Sequence, residues 1–243
     1  MPVGKYEPIY KTLKEEIENG TYASGDFLPS EKQCTERFQC TRNTVRRAIA
    51  MLTAEGYLLP QHGRGVQIIY RQNDGKSLFS IGGIESFSEA SQRNGITCTT
   101  RLITFETVRS DEKLSLKTGF DEGAELYHIE RLRLYGKKAI IFDENWFLAS
   151  ETTGLSPAIA SSSIYQYLEK ALGMNITTSR RRVTAEKASD KDRHYLSLHG
   201  LDFVLCVSGQ VFNSRGIMFE YTESRHVPDQ VSFIESAVRQ KVQ

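Results

Sequence analysis

A short run of the sequence, residues 41–47, concentrates side chains that could read DNA bases. If the residues between Thr41 and Gly56 form a helix, Val45, Ile49 and Leu52 mark its buried stripe, because residues three and four apart share a face. The opposite face near the helix N-terminus then carries Arg42, Asn43 and Arg46. Arginine can donate two hydrogen bonds to guanine, and asparagine matches adenine in the same way. We predict that this face enters the major groove and that three neighbours hold phosphates. These neighbours are Thr41, Thr44 and Arg47.

A second basic cluster lies between two strand-like runs, residues 57–59 and 66–69. The connecting residues contain two glycines, so the segment is predicted to be a β-hairpin with a close backbone approach at its tip. Such a tip, rich in donors and charge, suits the minor groove beside the major-groove contact. The predicted contacts here are His62, Gly63 and Arg64. Lys32, at the start of an earlier helix, is expected to meet a phosphate.

The elements that position these groups can be predicted from helix signals. Ile9, Leu13 and Ile17 recur every four residues and predict a first helix. Ser30, with Gln33 three residues later, forms a capping box that starts a second helix, and Thr41 can cap the third. Three helices followed by a hairpin form a winged helix-turn-helix. The alternative is a solvated basic face on an ordinary helical subdomain.

A different chemistry is indicated in the second half of the chain. In the predicted strand 124–135, Arg131 and Arg133 project from one face, because strand side chains alternate. Two guanidinium groups together can clamp a phosphate or a carboxylate. In the next strand, Glu144 lies on a mostly apolar face, so it is expected to be paired or to bind ligand hydroxyls. The alternative is a structural ion-pair network of these three residues across adjacent strands.

Late in the chain, a polar stripe that suits sugar hydroxyls consists of Glu220, Thr222, Ser224 and His226. A strand side that faces solvent would explain this stripe equally well. Ser163 is predicted first as a helix N-cap, and a phosphate at that helix end is compatible with the same geometry.

Strand patterns dominate beyond residue 77 and predict an α+β fold, with helices packed on an antiparallel sheet. The strands are expected at 97–107, 124–135, 138–148, 176–185, 202–212 and 217–226. The helices are expected at 84–94, 111–118, 164–172 and 189–199. Residues 71–77 contain no apolar side chain and read as a linker. The expected domains are therefore 1–70 for DNA binding and 78–243 for effector binding and dimerisation.

Composition narrows the function further. The 243 residues carry a net charge of +1, so DNA binding must rest on a local patch. No apolar run is long enough to span a membrane and the N-terminus lacks a signal-peptide core, so we expect a cytoplasmic protein without a membrane partner. The four cysteines are scattered, and neither a disulfide framework nor a metal site is expected. No nucleophile–base pair, metal spacing or phosphate loop indicates an enzyme, and we expect no catalytic residue and no cofactor.

Residues ~5–70 resemble the GntR family of transcriptional regulators. The resemblance is carried by the runs Leu28–Glu31, Thr41–Ala48, Glu55–Tyr57 and His62–Gly65. It implies that a homodimer binds palindromic double-stranded operator DNA. The family's contact pattern falls on Lys32, Thr41, Arg42, Asn43, Thr44, Arg46, His62 and Gly63. Asn43 stands where a small hydroxyl residue or another polar residue is often found, which leaves its base preference open.

Residues ~78–238 resemble the UTRA effector-binding domain of the HutC-like branch of that family. The phosphosugar-binding positions of the domain fall on Ser88, Arg131, Arg133, Glu144, Ser163, Tyr165, Glu220 and His226. The run Tyr221–His226 is similar to that of trehalose operon repressors, which implies trehalose 6-phosphate as the effector that relieves repression. Another phosphosugar or a non-sugar metabolite is the alternative. The UTRA fold is also similar to chorismate lyase, so a lyase joined to a DNA-binding arm is the less favoured interpretation.

Overall fold

The computed structural model describes residues 6–71, 77–80, 84–93, 95 and 97–234. The chain divides into two compact units, one of Met1–Gly75 together with Ile234–Gln243 and the other of Lys76–Phe233. The first unit contains three helices and one hairpin. These elements are α1 (Glu7–Glu18), α2 (Glu31–Phe38), α3 (Arg42–Ala54), β1 (Leu58–Gln61) and β2 (Gly65–Ile68).

Local signals place the first-unit helices as the sequence predicts. Ser30 and Gln33 form a reciprocal capping box at the start of α2. Gln39 then adopts a left-handed conformation, with φ 49°, and ends that helix. Only three residues separate α2 from α3, so the two helices form a tight helix-turn-helix. The helices and the hairpin share one apolar core, which includes Leu13, Ile17, Val45, Leu52, Leu58 and Ile68.

The second unit is built on a six-stranded antiparallel sheet with the strand order β4-β5-β6-β9-β8-β7. Its strands are β4 (Cys98–Arg109), β5 (Glu125–Tyr135), β6 (Lys138–Leu148), β7 (Ile176–Lys187), β8 (Phe203–Asn213) and β9 (Met218–His226). A separate two-stranded sheet pairs β3 (Ser77–Ser80) with β10 (Val231–Ile234). The helices are α4 (Phe87–Arg93), α5 (Glu112–Thr118), α6 (Pro157–Ala160), α7 (Ile164–Lys170) and α8 (Asp190–Tyr195).

Both faces of the large sheet are covered. On one face, Ile129 and Phe147 pack with Ile164 and Leu168 of α7. On the other face, Leu132 and Phe142 pack with residues that include Leu196. Eight of the eleven residues of β6 are consequently buried, because neither side of this central strand faces solvent. Two residues that are neighbours in the sequence of β6 therefore lie on opposite faces of the sheet and contact different residues.

The predicted α+β class, with a winged helix-turn-helix and an antiparallel-sheet domain, is confirmed. The strand bounds agree with the predictions within a few residues, whereas α8 ends at Tyr195 rather than at 199. Three short elements, β3, α6 and β10, were not predicted. Of the predicted linker, residues 72–76 lie outside the described part of the chain and Ser77 begins β3. Among the described residues, no helix is long and apolar enough to cross a membrane.

Candidate functional site

The predicted DNA-reading face is exposed on α3. Val45, Ile49 and Leu52 are buried in the core of the first unit, which turns the opposite side of the helix outward. The predicted contacts that lie exposed are Lys32, Thr41, Arg42, Asn43, Arg46, Arg47, His62, Gly63 and Arg64. Thr44 is half-buried. A cationic, hydrogen-bonding surface is therefore available at the N-terminal end of this helix.

Thr41 and Thr44 order the start of α3. The Thr41 side chain accepts a hydrogen bond from the Thr44 backbone N–H at 3.4 Å, and the two hydroxyl oxygens lie 2.9 Å apart. Thr41 is thus an N-cap, and the first-turn backbone N–H groups carry the positive end of the helix dipole. The geometry is compatible with a phosphate at this end.

Arg46 is held by an acidic partner on the neighbouring helix. Its Nε lies 2.8 Å from an Oε of Glu31, and this hydrogen bond lowers the pKa of Glu31 below its ordinary value. Both side chains remain open to solvent. The guanidinium is therefore oriented while its other N–H donors stay outward. Arg47 instead lies over the ring of Tyr6, with 4.1 Å between its Cζ and the ring centroid.

The hairpin tip has the backbone that its sequence predicts. Gly63 and Gly65 adopt φ values of +73° and +111°, which side chains with a Cβ rarely tolerate. The strands extend closer to the tip than predicted, since Pro60 lies within β1 opposite Val66. This is compatible with a proline because β1 pairs with β2 alone and leaves its outer edge free.

A cavity of about 530 Å³ opens on the face of the large sheet that carries α7. Its size is within the range of small-molecule sites. Seven of the eight predicted effector contacts line it: Ser88, Arg131, Arg133, Ser163, Tyr165, Glu220 and His226. Thr222 and Ser224 line it too, so the polar stripe of β9 faces this cavity and not bulk solvent. The Ser163 side chain caps α7 by accepting from the Gln166 backbone N–H.

The two arginines are buried and held from the neighbouring strand β6. Arg133 Nε donates to Asp143 at 2.7 Å, and Arg131 donates to Asn145 Oδ1 at 2.8 Å. Ser224 also donates to Asp143, at 2.6 Å. Burial, together with the charge of Arg133, lowers the pKa of Arg131 to about 9. The buried Nε of Arg131 has no hydrogen-bond partner within the described structure. The described residues therefore provide a hydrogen-bond acceptor for one N–H group of the charged Arg131 but none for its Nε.

Glu220 and His226 lie on the same wall of the cavity, and burial shifts their pKa values in opposite directions. Glu220 accepts hydrogen bonds from Tyr165 at 2.7 Å and from Asn145 at 3.2 Å, and burial raises its pKa to about 7. Burial lowers the pKa of His226 to about 4, so this imidazole is neutral at physiological pH. The cavity thus combines Arg131 and Arg133 with the carboxyl group of Glu220 and several hydroxyls.

The elevated pKa of Glu220 predicts a pH-dependent stability. In the unfolded chain this group would ionise near its ordinary value of 4.5, whereas in the fold it keeps its proton until about pH 7. The protonated Glu220 therefore contributes fully to the stability of the fold at low pH, and this contribution is lost as the pH rises from 4.5 through 7. We expect the free energy of unfolding of the Glu220→Gln variant to exceed that of the wild type by roughly 3 kcal/mol at pH 8 and by almost nothing at pH 4. Urea unfolding of both proteins at the two pH values measures this gain, and an equal difference at both would contradict it.

The predicted place of Glu144 in the effector site is wrong. Side chains alternate along β6, so Asp143 and Asn145 face the cavity and Glu144 faces the other side of the sheet. There Glu144 lies 3.0 Å from His128 Nε2 and 3.6 Å from Lys117 Nζ. The ion pair across adjacent strands exists, but Arg133 makes it with Asp143 and not with Glu144.

Several cavity residues were not predicted from the sequence. Asp143 and Asn145 hold the arginines, Thr100 accepts from Arg133 at 2.6 Å, and Ser179 and Arg181 reach the cavity from β7. The sequence did offer one signal for Asp143. It stands opposite Arg131 in the adjacent strand, where a buried arginine requires an acceptor.

An exposed cationic helix-turn-helix in one unit and a polar cavity in the other are the features of a transcriptional regulator with a separate second domain. Residues 5–68 match the family described as bacterial regulatory proteins, gntR family, and residues 93–232 match the UTRA domain. The chain belongs to the GntR family and carries a UTRA domain.

Curated relatives agree with this assignment. The chain is similar to the HTH-type transcriptional regulator TreR of Bacillus subtilis (strain 168), with 32% identity over 241 residues, 99% of this chain and 100% of the relative. It is 26% identical to the HTH-type transcriptional repressor NagR of the same organism, over 96% of this chain and 94% of that protein. These relatives are transcriptional regulators, as is this chain.

Solved structures show the same fold. YydK from Bacillus subtilis, a possible transcriptional regulator, has a TM-score of 0.81 at 20% identity and covers 96% of this chain and 99% of its own. The effector binding domain of the Bacillus subtilis trehalose repressor (TreR) has a TM-score of 0.54 at 29% identity. It covers 59% of this chain and 99% of its own length.

Proposed function

We propose that this chain is a transcriptional repressor that binds a palindromic operator as a homodimer and releases it when a phosphorylated sugar enters the cavity. Trehalose 6-phosphate is the effector we propose first. Each protomer would place the N-terminal end of α3 in one half-site, so the two half-sites should be about one helical turn apart. The effector must bind the DNA-releasing form more tightly, since otherwise it cannot shift the equilibrium.

The observation that carries the effector class is the buried Arg131. A charged guanidinium with an unsatisfied Nε is costly to bury, and an anionic oxygen would supply the missing acceptor. Arg133 stands two residues away in the same strand and also faces the cavity. A phosphate fits this pair because its several oxygens can accept from both arginines at once.

The remainder of the cavity favours a sugar. Glu220, Thr222 and Ser224 provide a row of hydrogen-bonding groups along β9, and apolar side chains such as Phe87 and Ile164 lie among the polar ones, as suits the mixed surface of a sugar. The similarity to a protein named a trehalose repressor supports trehalose as the sugar. One relative, at 22% identity, is named a mannosyl-D-glycerate transport/metabolism system repressor, so proteins of similar sequence are named for different sugars. The experiment must therefore compare several phosphosugars.

A thermal-shift panel tests the proposal. The ligands are trehalose 6-phosphate, trehalose, glucose 6-phosphate, N-acetylglucosamine 6-phosphate and inorganic phosphate. At a hundredfold excess over Kd, the correct effector should raise Tm by roughly 5–10 °C, because it binds only the folded protein. The same ligand should release operator DNA in a fluorescence anisotropy titration.

The outcomes separate the parts of the proposal. An equal response to trehalose and to trehalose 6-phosphate would contradict phosphate recognition by the arginines. A response to another phosphosugar alone would keep the mechanism and replace the proposed effector. Light scattering on the same samples checks the homodimer, and a monomer that binds the palindrome with full affinity would contradict that part.

A further inference from the structure

Arg181 enters the cavity from the side opposite Arg131. It lies on β7, the edge strand of the sheet, and alternate residues of this strand, Ser179, Arg181 and Val183, line the cavity. Arg131 projects from β5, which is four strand positions away in the order β5-β6-β9-β8-β7. At about 4.8 Å per strand, the two backbones are roughly 19 Å apart along the sheet. The cavity therefore has a cationic group at each end.

Gly209 leaves the space through which the Arg181 side chain passes. The two residues are partners in the β7–β8 register. A Cβ on Gly209 would lie 3.2 Å from Arg181 Cγ and 2.8 Å from the carbonyl oxygen of Arg180, and real Cβ atoms essentially never make the second contact. The neighbouring Val207 and Val211 both present side chains to the cavity, so Gly209 leaves a gap between them. The Arg181 side chain leans over this gap.

Between the two cationic ends stands the hydrogen-bonding row of β9. Arg181 is close enough to Glu220 and Tyr165 for its charge to lower their pKa values, against the burial that raises them. Arg131 hydrogen-bonds to Asn145 on β6, whereas Arg181 lies over β8. These two strands are separated by two strand spacings, about 10 Å. A ligand that meets both groups must therefore extend across these strands.

We propose that Arg181, positioned by Gly209, is a specificity-determining residue that contacts the part of the effector farthest from its phosphate. It selects a phosphorylated disaccharide over a phosphorylated monosaccharide. The inference rests on the proposed function, because it assumes that the phosphate lies on Arg131 and Arg133. It adds a second recognition point at the opposite wall.

Titration calorimetry on the full-length protein with trehalose 6-phosphate and glucose 6-phosphate tests this inference. The wild type should prefer the disaccharide by at least about tenfold, because a charged hydrogen bond to a hydroxyl contributes roughly that factor. Arg181→Gln should lose about tenfold on trehalose 6-phosphate and less than about twofold on glucose 6-phosphate. Arg182→Gln is the matched control, since Arg182 is an exposed neighbour on the same strand and should change neither affinity.

Gly209→Ala provides a second variant that keeps every charge. Its Cβ should displace Arg181 and reduce the preference for the disaccharide, while Tm without ligand reports whether the sheet remains intact. An Arg181→Gln variant that keeps the wild-type preference, or loses both ligands equally, would overturn the inference and leave the proposed function standing. A wild-type protein that binds neither sugar phosphate would overturn the inference together with trehalose 6-phosphate as the effector, and the wider phosphosugar panel would then decide whether the proposed function stands.

Discussion

Replacing Arg46 by alanine is expected to remove sequence-specific DNA binding while the protein stays folded and still binds its effector. Arg46 is exposed on the outer face of α3, and the variant leaves the core stripe of this helix untouched. One bidentate contact to guanine contributes roughly a tenfold to hundredfold preference for the correct base. A homodimer would lose this contact twice, so operator affinity should fall about a hundredfold or more. Glu31 would also be left facing DNA without its partner.

The measurement requires an operator. A duplex selected by the wild-type protein from a randomised palindromic library can be compared with a scrambled duplex by fluorescence anisotropy. Arg37→Ala is the matched control, because Arg37 is an exposed arginine on α2 that also pairs with a glutamate, Glu16. Arg37→Ala should retain the operator preference. An Arg46→Ala protein with unchanged preference, or one that also loses its effector-induced rise in Tm, would contradict the assignment.

Replacing Arg131 by methionine is expected to give a repressor that no longer responds to its effector. The variant removes the buried charge that we place against the phosphate, and loss of such a charged partner weakens binding by about a hundredfold or more. Methionine is unbranched and fills irregular space, so the protein without ligand should be at least as stable as the wild type. Operator binding should persist at effector concentrations that release the wild type from DNA.

Two controls make this result specific. Arg180→Met changes the same residue type at an exposed position of β7 and should leave the response intact. Glu144→Gln tests the corrected position of that carboxylate, which lies on the other side of the sheet, and should leave effector affinity within about twofold of the wild type. A normal effector response in Arg131→Met would remove this arginine from the site.

The DNA-binding half could be predicted from local signals. Ser30 and Thr41 act within their own helices, and the apolar spacing of Val45, Ile49 and Leu52 sets which side of α3 is exposed. Each of these effects spans only a few residues. The ion pair of Arg46 with Glu31 joins two helices, and no sequence pattern within α3 could indicate it.

The effector half depends on contacts that are distant in sequence. Most of β6 is buried on both faces, so its hydrophobicity does not tell which face holds the cavity. The register of β5 against β6 places Asp143 opposite Arg131, and Glu144 consequently points away. Arg181 reaches the site only because β7 follows β8 at the edge of the sheet. Such pairings are set by the topology of the whole unit.

The pairing of Asp143 with Arg133 also lowers the affinity of Arg133 for common small anions. At Arg133, chloride or bicarbonate would have to give up its hydration to meet a guanidinium whose charge Asp143 already balances. A single negative charge gains little from that exchange. A ligand that brings two charges at one end and hydroxyl groups along its length gains from both sources. Under the proposed function, Arg133 therefore favours a phosphorylated sugar over the simple anions around it.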